Sequence, residues 1–490
     1  MSLTARPSAR QAPAHVRERR APTQRTSHRA GQQPARRIAA GGPPRRWWAD
    51  VAGSAALLSV VVVVALWLAN KGVQNAAGSG GLATTTGRLT GLLSADFMLL
   101  QVLLMARIPW VERSYGQDAL ARRHRLLGFV SFWLMIAHVV LITFGYAQSS
   151  GHGVIGQGWD LVVNYPGMLL ATAGTALLIA VVALSIRAAR RRLRYESWHL
   201  IHLYAYLGVG LALPHQIWTG AEFTSSPAAR AYWWTLYCAT LGAVLLFRIG
   251  LPAWRTLYHR IEVESVVRES PTVVSVYLRG HRLDRLPVRA GQFFLWRFLD
   301  GPGWSRANPY SLSAVPHTRM LRITVKDLGD GSARVASLKP GTKVLVEGPY
   351  GAMTAARRQR PKVLLLAAGV GITAMRALIE DLDYAPGDAT LVYRVGRQSE
   401  AVFAAELAEI AQARGVRLYL LDGGRAPHPS WLPAQYAHLG DVAAIRGMAP
   451  DVAEHEVYLC GPPDWMDSVR GTLREAGVPS EHVHAEEFAW

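Results

Sequence analysis

Two pairs of histidines stand inside apolar stretches of the chain. His124 and His138 lie in "ARRHRLLGFVSFWLMIAHVVLITFGYA" (121–147), and His202 and His215 in "WHLIHLYAYLGVGLALPHQIW" (198–218). Ionisable side chains are costly in hydrocarbon and mark function by default. Fourteen residues separate His124 from His138. At 100° per residue they turn a helix through about 1400°, so both imidazoles share one face, about 21 Å apart. The thirteen residues from His202 to His215 leave that pair about 140° out of phase on a straight helix. Pro214, immediately before His215, can bend the helix and bring them round. Two helices that each offer an inner and an outer imidazole suit two bis-histidine haems, one above the other, because histidine is a common axial ligand to haem iron. His124 would pair with His202 on the inner side and His138 with His215 on the outer side. His199 competes with His202, although beside Trp198 it reads as an interface residue.

The elements that must hold these residues are membrane helices. Six apolar segments, 51–69, 89–106, 126–147, 166–186, 199–217 and 231–249, have about the length needed to cross some 30 Å of hydrocarbon. The 107–125 loop carries Arg107, Arg113, Arg122, Arg123 and Arg125, and the 187–194 loop carries Arg187, Arg190, Arg191, Arg192 and Arg194. Residues 148–165 and 218–229 contain no lysine or arginine. The positive-inside rule then predicts a multi-pass protein of the plasma membrane with both termini in the cytosol.

The bulk composition agrees. Of the 490 residues half are apolar, yet the net charge is +19, and eleven arginines with one acid fall within the first 46 residues. This arm (1–48) lacks the apolar content to fold and is expected to be disordered. Beside a membrane span it reads as topogenic charge or lipid contact rather than a nucleic-acid arm. Arg45-Arg46 has too little around it to read as a twin-arginine signal, so 51–69 is expected to be a retained span. Two cysteines, Cys238 and Cys460, give neither a disulfide framework nor the thiolates of an iron–sulfur cluster.

After the membrane segment (49–250) the patterning changes. Residues 256–356 hold short alternating runs such as "TVVSVYL", "GQFFLWRF" and "LRITVKD", punctuated by Gly and Pro, which predicts an antiparallel β-barrel. From 361 to 490, "KVLLLAAG", "ITAMRALIEDL", "ATLVYRV" and "EAVFAAELAEIAQA" alternate strand and helix, which predicts an α/β domain on a parallel sheet. In "LLLAAGVGITAMRAL", Gly369 and Gly371 would let the backbone approach a pyrophosphate at the helix N-terminus, with Thr373 in the first turn. Arg394 and Arg397 in "YRVGR" could hold a 2′-phosphate, favouring NADPH, with NADH as the alternative.

The histidine spacing, six spans and soluble tail together resemble the ferric reductase and NADPH oxidase superfamily, across about 90–490. In that family the third and fifth spans supply four haem ligands, which fall here on His124, His138, His202 and His215. "RANPYSLSA" (306–314) resembles the flavin motif of ferredoxin-NADP reductase-type domains. The resemblance implies Tyr310 against the flavin ring and Ser311 at its polar edge, with Arg306, Asn308, Pro309 and Ser313 around them. Asn308 stands where the family usually has Arg or His. "VKDLGDGSARV" resembles the second flavin segment, with Lys326 at its start and Gly331 and Ser332 toward a pyrophosphate. Ala374 replaces the usual proline after the glycine turn. "YLCGPPDWM" resembles the Cys-Gly-Pro motif, which implies Cys460 near the nicotinamide, flanked by Gly461 and Pro462. A C-terminal aromatic covers the flavin in this family; Phe488 matches best and Trp490 is the alternative.

The resemblance implies FAD, NADPH and two b-type haems in an enzyme that moves electrons from cytosolic NADPH to an extracytoplasmic acceptor. A ferric chelate is the leading acceptor and dioxygen the other, as in an NADPH oxidase. The rival of another class is a membrane-anchored reductase without haem. Beyond the bilayer and the small-molecule acceptor, no protein partner and no nucleic acid is expected.

Overall fold

In a computed structural model of the chain, residues 47–186, 195–224, 226–426 and 429–487 are described. The arginine-rich arm to residue 46, the 187–194 arginine loop, Phe488 and Trp490 lie outside the described residues.

The N-terminal half is helical. Helix α1 spans Trp47–Ala69, α2 Gly81–Met105, α3 Pro109–Tyr115, α4 Gln117–Ser150, α5 Val154–Asn164, α6 Met168–Ser185 and α7 Tyr195–Thr219. Helix α8 (Pro227–Val244) runs on through a π turn (Leu245–Gly250) into α9 (Leu251–His259). Among the described residues, five helices are long and apolar enough to cross a membrane: α1, α2, α4, α6 and the continuous Pro227–His259. The remaining expected segment forms α7, which has the length at 25 residues. It carries His199, His202, Pro214, His215 and Gln216, and so falls short in apolar content. Leu57, Leu58, Phe129, Leu169 and Leu241 are exposed on these helices, as a lipid-facing belt requires. Helix α4 extends well before the apolar run. His124 therefore stands half-buried two turns inside the helix.

The α2–α4 and α6–α7 pairs pack closely, and glycine makes both possible. A β-carbon at Gly145 would lie 2.7 Å from the Thr84 nitrogen, and one at Gly174 would lie 2.6 Å from the Gly208 carbonyl oxygen. Small residues at such crossings let backbones approach.

Two three-stranded antiparallel sheets follow. One has the order β1 (Glu262–Ser270), β2 (Val273–Arg279), β5 (Met320–Lys326), and the other β4 (Asn308–Ser311), β3 (Phe293–Phe298), β6 (Val344–Tyr350). They enclose one core that includes Val276, Leu278, Phe294, Trp296, Leu312 and Ile323. Isolated bridges Glu262–Lys343 and Leu312–Ile323 tie the sheets. The expected barrel is therefore two facing sheets joined at two points. Pro309 in β4 and Pro349 in β6 lack the N–H a continuous ladder needs.

The last part is a five-stranded parallel sheet in the order β11-β10-β7-β8-β9. Its strands are β7 (Lys362–Ala368), β8 (Ala389–Val395), β9 (Arg417–Asp422), β10 (His455–Gly461) and β11 (Val483–Glu487). Alternation along β7 is visible in its two faces. Val363, Leu365 and Ala367 pack with Met375, Leu378 and Leu407 of α10 (Ile372–Asp381) and α11 (Ala404–Arg414). Leu364 and Leu366 pack with Ile445, Val469 and Leu473 of α12 (Asp441–Met448) and α13 (Pro463–Glu475). Strand order reverses between β7 and β10, and ligands of such sheets bind outside the strand ends at that switch point.

Candidate functional site

The four histidines sit on α4 and α7 and fall in two pairs, His124 with His202 and His138 with His215. The ring centroids of His124 and His202 are 6.0 Å apart. Two imidazoles on opposite sides of one metal at about 2 Å per metal–nitrogen bond would have centres roughly 6 Å apart. His215 lies within electrostatic reach of His138. In every case Nδ1 has a partner: Gln101 O at 3.2 Å for His124, Gly87 O at 2.7 Å for His138, Ser185 Oγ at 3.3 Å for His202, and Ala212 O for His215. An Nδ1–H donated to a carbonyl leaves the Nε2 lone pair for a metal, the usual way a ligating imidazole is oriented. These rings fit axial ligation of haem iron. His199 instead lies within electrostatic reach of Arg248, Arg297 and Glu347, while Trp198 stacks on His202 at 5.2 Å.

Three positions on α2 complete this arrangement and were not singled out from the sequence. Gly87 and Gln101 supply the carbonyls for His138 and His124. Gly91 makes room for the His138 ring, since a β-carbon there would stand 2.5 Å from Nδ1. The signal was present as Gly87-x-x-x-Gly91 at the start of an apolar run, a spacing that allows close helix approach. Pro214 lies inside α7, and Gly167, at φ +80°, lies against the Pro214–His215 backbone, where a β-carbon would meet the His215 nitrogen at 2.7 Å.

In the two-sheet domain, β4 carries the expected flavin residues. Tyr310 packs on the core and its carbonyl accepts from Trp296 Nε1 at 3.0 Å. Burial pushes its phenol above the ordinary range. The Ser311 hydroxyl is buried with no hydrogen-bond partner among the described residues, an orphan of the kind a ligand's polar edge satisfies. Gly331 brings the second flavin segment to the first: a β-carbon there would lie 3.2 Å from Arg306 Nη1 and 3.6 Å from Asn308 Oδ1. Other expected residues are used internally. Asn308 Nδ2 donates to Arg306 O at 3.2 Å. Ser332 Oγ accepts from the Leu328 amide at 2.7 Å and donates to Gly329 O at 2.9 Å. Ser313 points into the interior, bonded to Thr324 Oγ1 at 2.7 Å and to Arg322. Lys326 is half-buried at the end of β5, and Pro309 lies within β4.

At the switch point, Gly369 (φ +55°) and Gly371 turn the chain from β7 into α10. A β-carbon on Gly371 would lie 2.3 Å from the Cys460 carbonyl oxygen, so the glycine turn and the Cys-Gly-Pro segment meet. Cys460 is fully buried, and burial, then Glu486, pushes its thiol well above the ordinary value. Thr373 is buried in the first turn of α10, and Pro462 caps α13. A β-carbon on Gly461 would meet the Trp465 ring at 2.7 Å. The two arginines differ. Arg394 donates to Val395 O, Gly423 O and Gly424 O at 3.0–3.2 Å. Burial, then Arg425, lowers its pKa. The Arg397 side chain is 81% exposed and pairs locally with Glu400 at 2.9 Å. Arg425 is a further cation here that sequence reasoning passed over.

Comparison with known proteins gives two kinds of match. Residues 90–213 match the family described as ferric reductase like transmembrane component. The ferredoxin reductase component of 3-ketosteroid-9-alpha-monooxygenase from Mycolicibacterium smegmatis is 32% identical over 210 residues, 42% of this chain and 57% of that protein. The glycine betaine monooxygenase reductase subunit of Chromohalobacter salexigens is 28% identical over 48% of this chain and 65% of its own length. The chain thus spans less than two thirds of the length of these relatives. Among solved structures, the FAD/NAD binding domain of a nitric oxide dioxygenase from Vibrio cholerae is 25% identical, with 47% of this chain and 98% of that one covered at a TM-score of 0.36. Residues 90–213 thus resemble a ferric reductase-like transmembrane component, on a chain with five helices long and apolar enough to cross a membrane among the described residues, and the reductase relatives show a likeness to ferredoxin reductase components.

Proposed function

We propose that this protein draws electrons from cytosolic NADPH and delivers them across the plasma membrane to an acceptor outside, a ferric chelate in the first instance. FAD would convert a two-electron hydride into single electrons, and two b-type haems would relay them. The observation that carries this reading is the pairing of four imidazoles on two helices, each with Nδ1 held and Nε2 left for a metal.

The roles of the chain's own residues follow. His124 and His202 would hold an inner haem iron, and His138 and His215 an outer one. Iron held by two imidazoles would leave no ligand site for the acceptor. Tyr310 and Ser311 hold the flavin, and Gly331 keeps the facing segment close enough to reach its phosphates. Gly369 and Gly371 let a dinucleotide approach the switch point. Arg397 and Arg425 bind its 2′-phosphate, while Arg394 shapes the loop beneath. The buried Cys460 thiol, held neutral, lines the nicotinamide position without adding charge. The arginine-rich loops place both termini in the cytosol, on the NADPH side, and the six helices, α7 included, all cross the bilayer.

The purified protein should show a b-type α-band when NADPH is added without oxygen. His138→Leu should remove the outer haem and leave the inner one. A wild type with flavin but no haem band would support the rival membrane-anchored reductase instead. Ferric citrate and dioxygen, offered separately to the reduced protein, then separate the two acceptors.

A further inference from the structure

The junction between the helical bundle and the two-sheet domain is built from buried charge. Glu347, on β6, has a side chain only 8% exposed. Its Oε1 lies 3.5 Å from Arg248 Nη1, in the π turn of the last long helix, and its Oε2 lies 3.4 Å from Arg297 Nη1 on β3. Tyr350, three residues on, donates its hydroxyl to Glu347 Oε1 at 2.9 Å. Burial holds that phenol above its ordinary range, so it remains a donor. The Arg107 guanidinium lies over the Tyr350 ring at 4.0 Å. Arg107 in turn donates to Glu112 at 3.0 Å and to Gln117 at 2.6 Å. Arg255 of α9 also donates to Gly348 O.

This chain of contacts has a direction. Gln117 is the first residue of α4, about two turns before His124. At the other end, β6 pairs with β3, and β3 pairs with β4, the strand of Tyr310 and Ser311. Glu347 also lies within electrostatic reach of His199, one turn before His202. Arg107 adopts φ +64°, a left-handed conformation a non-glycine residue keeps only when its surroundings impose it. A cavity lined in part by Arg107, Glu112, Arg255 and Gly348 adjoins the cluster. Removing one partner from a buried, hydrogen-bonded charge cluster leaves the others uncompensated.

We propose that Glu347 and Tyr350, together with Arg107, Glu112 and Arg248, are positioning residues that clamp the flavin-bearing sheets against the inner histidine pair, and that this clamp sets the rate at which NADPH-derived electrons reach that pair. The rate statement rests on the electron-transfer reading above; the docking statement does not. The clamp residues make and break no bond and keep their protons; a bound reduced flavin would supply one electron to a ferric haem held by His124 and His202, which would become ferrous.

The test uses the full-length protein in lipid nanodiscs, with Glu347→Gln, Glu347→Asp and Tyr350→Phe, the last keeping the ring beneath Arg107. Two readouts are taken. Stopped-flow spectra without oxygen separate flavin bleaching by NADPH from growth of the haem α-band. Hydrogen exchange of segments 107–117 and 344–350 reports docking independently of turnover. Glu347→Gln should slow haem reduction roughly tenfold to a hundredfold, the penalty of an ångström-scale misplacement, with flavin bleaching unchanged. It should also raise exchange in both segments. Tyr350→Phe should do the same more weakly, and Glu347→Asp should recover most of the rate. Unchanged haem reduction in Glu347→Gln and Tyr350→Phe would overturn the proposal, as would an equal fall in both optical phases. A wild type that bleaches flavin but shows no haem band would defeat the electron-conduit reading alone. Hydrogen exchange would still decide the clamp, and unaltered exchange in Glu347→Gln would reject it.

Discussion

Gly91 on α2 lies directly beneath the imidazole of His138 on α4: a β-carbon at Gly91 would stand 2.5 Å from Nδ1, 2.8 Å from Cε1 and 2.9 Å from Cγ of that ring. The Nδ1 hydrogen bond to Gly87 O, one turn earlier, depends on this approach. Gly91→Leu should therefore push the ring out of its seat. Overpacking at such a contact costs about 1–3 kcal/mol. The expected result is loss of the outer haem band with the inner one retained, read in a reduced-minus-oxidised spectrum. Retention of both bands would show that His138 does not need this seat.

Arg394 and Arg397 should respond differently to removal. Arg397 is exposed with a local partner, whereas Arg394 donates to three backbone carbonyls. Arg397→Ala should raise KM for NADPH about tenfold, equivalent to ~1.4 kcal/mol, without changing KM for NADH or the melting temperature. Arg394→Ala should lower the melting temperature by roughly 2–4 °C. If Arg394→Ala alone shifted the NADPH preference, the assignment would be reversed.

The buried Cys460 thiol, raised by burial and then by Glu486, should resist alkylation. In a Cys238→Ser background, maleimide at pH 8 should leave Cys460 unmodified in the folded protein and label it fully in denaturant, as intact mass would show. Rapid labelling of the folded protein would mean that the β10 end opens to solvent.

Glu456 ties the chain entering β7 to the last strand. It accepts from the Gln359 and Arg360 amides at 3.0 and 3.2 Å and from His482 at 3.2 Å, and it contacts His484 at 2.5 Å. Burial alone would raise its pKa, but the bond to His484, the Gln359 amide and His482 outweigh it and hold the carboxyl below its reference of 4.5. The folded value lies under the unfolded one, so this stabilisation is complete above about pH 4.5 and is lost as pH falls through the folded value. Glu456→Gln should cost about 1.5–3 kcal/mol at neutral pH and flatten the acid limb of a stability profile. An unchanged acid limb would mean that other carboxylates govern it.

The chain itself announced much of this molecule. Apolar runs long enough for a bilayer, histidines inside two of them, alternating strands and a glycine turn after a buried strand are local patterns, set by the periods of helix and strand. Five of the six apolar segments and the parallel sheet follow from such patterns. Helix α7 was legible as a long helix because of its length, but its polar residues weaken the apolar signal. Tertiary structure decided the rest. Which imidazole nitrogen is held depends on carbonyls 23 and 51 residues away on another helix. Ser313 and Arg394 have the right chemistry for a ligand, yet the fold turns one into a buried network and spends the other on loop carbonyls. A side chain's type is written in the sequence; whether its polar atoms remain available is fixed only when distant backbone arrives to claim them.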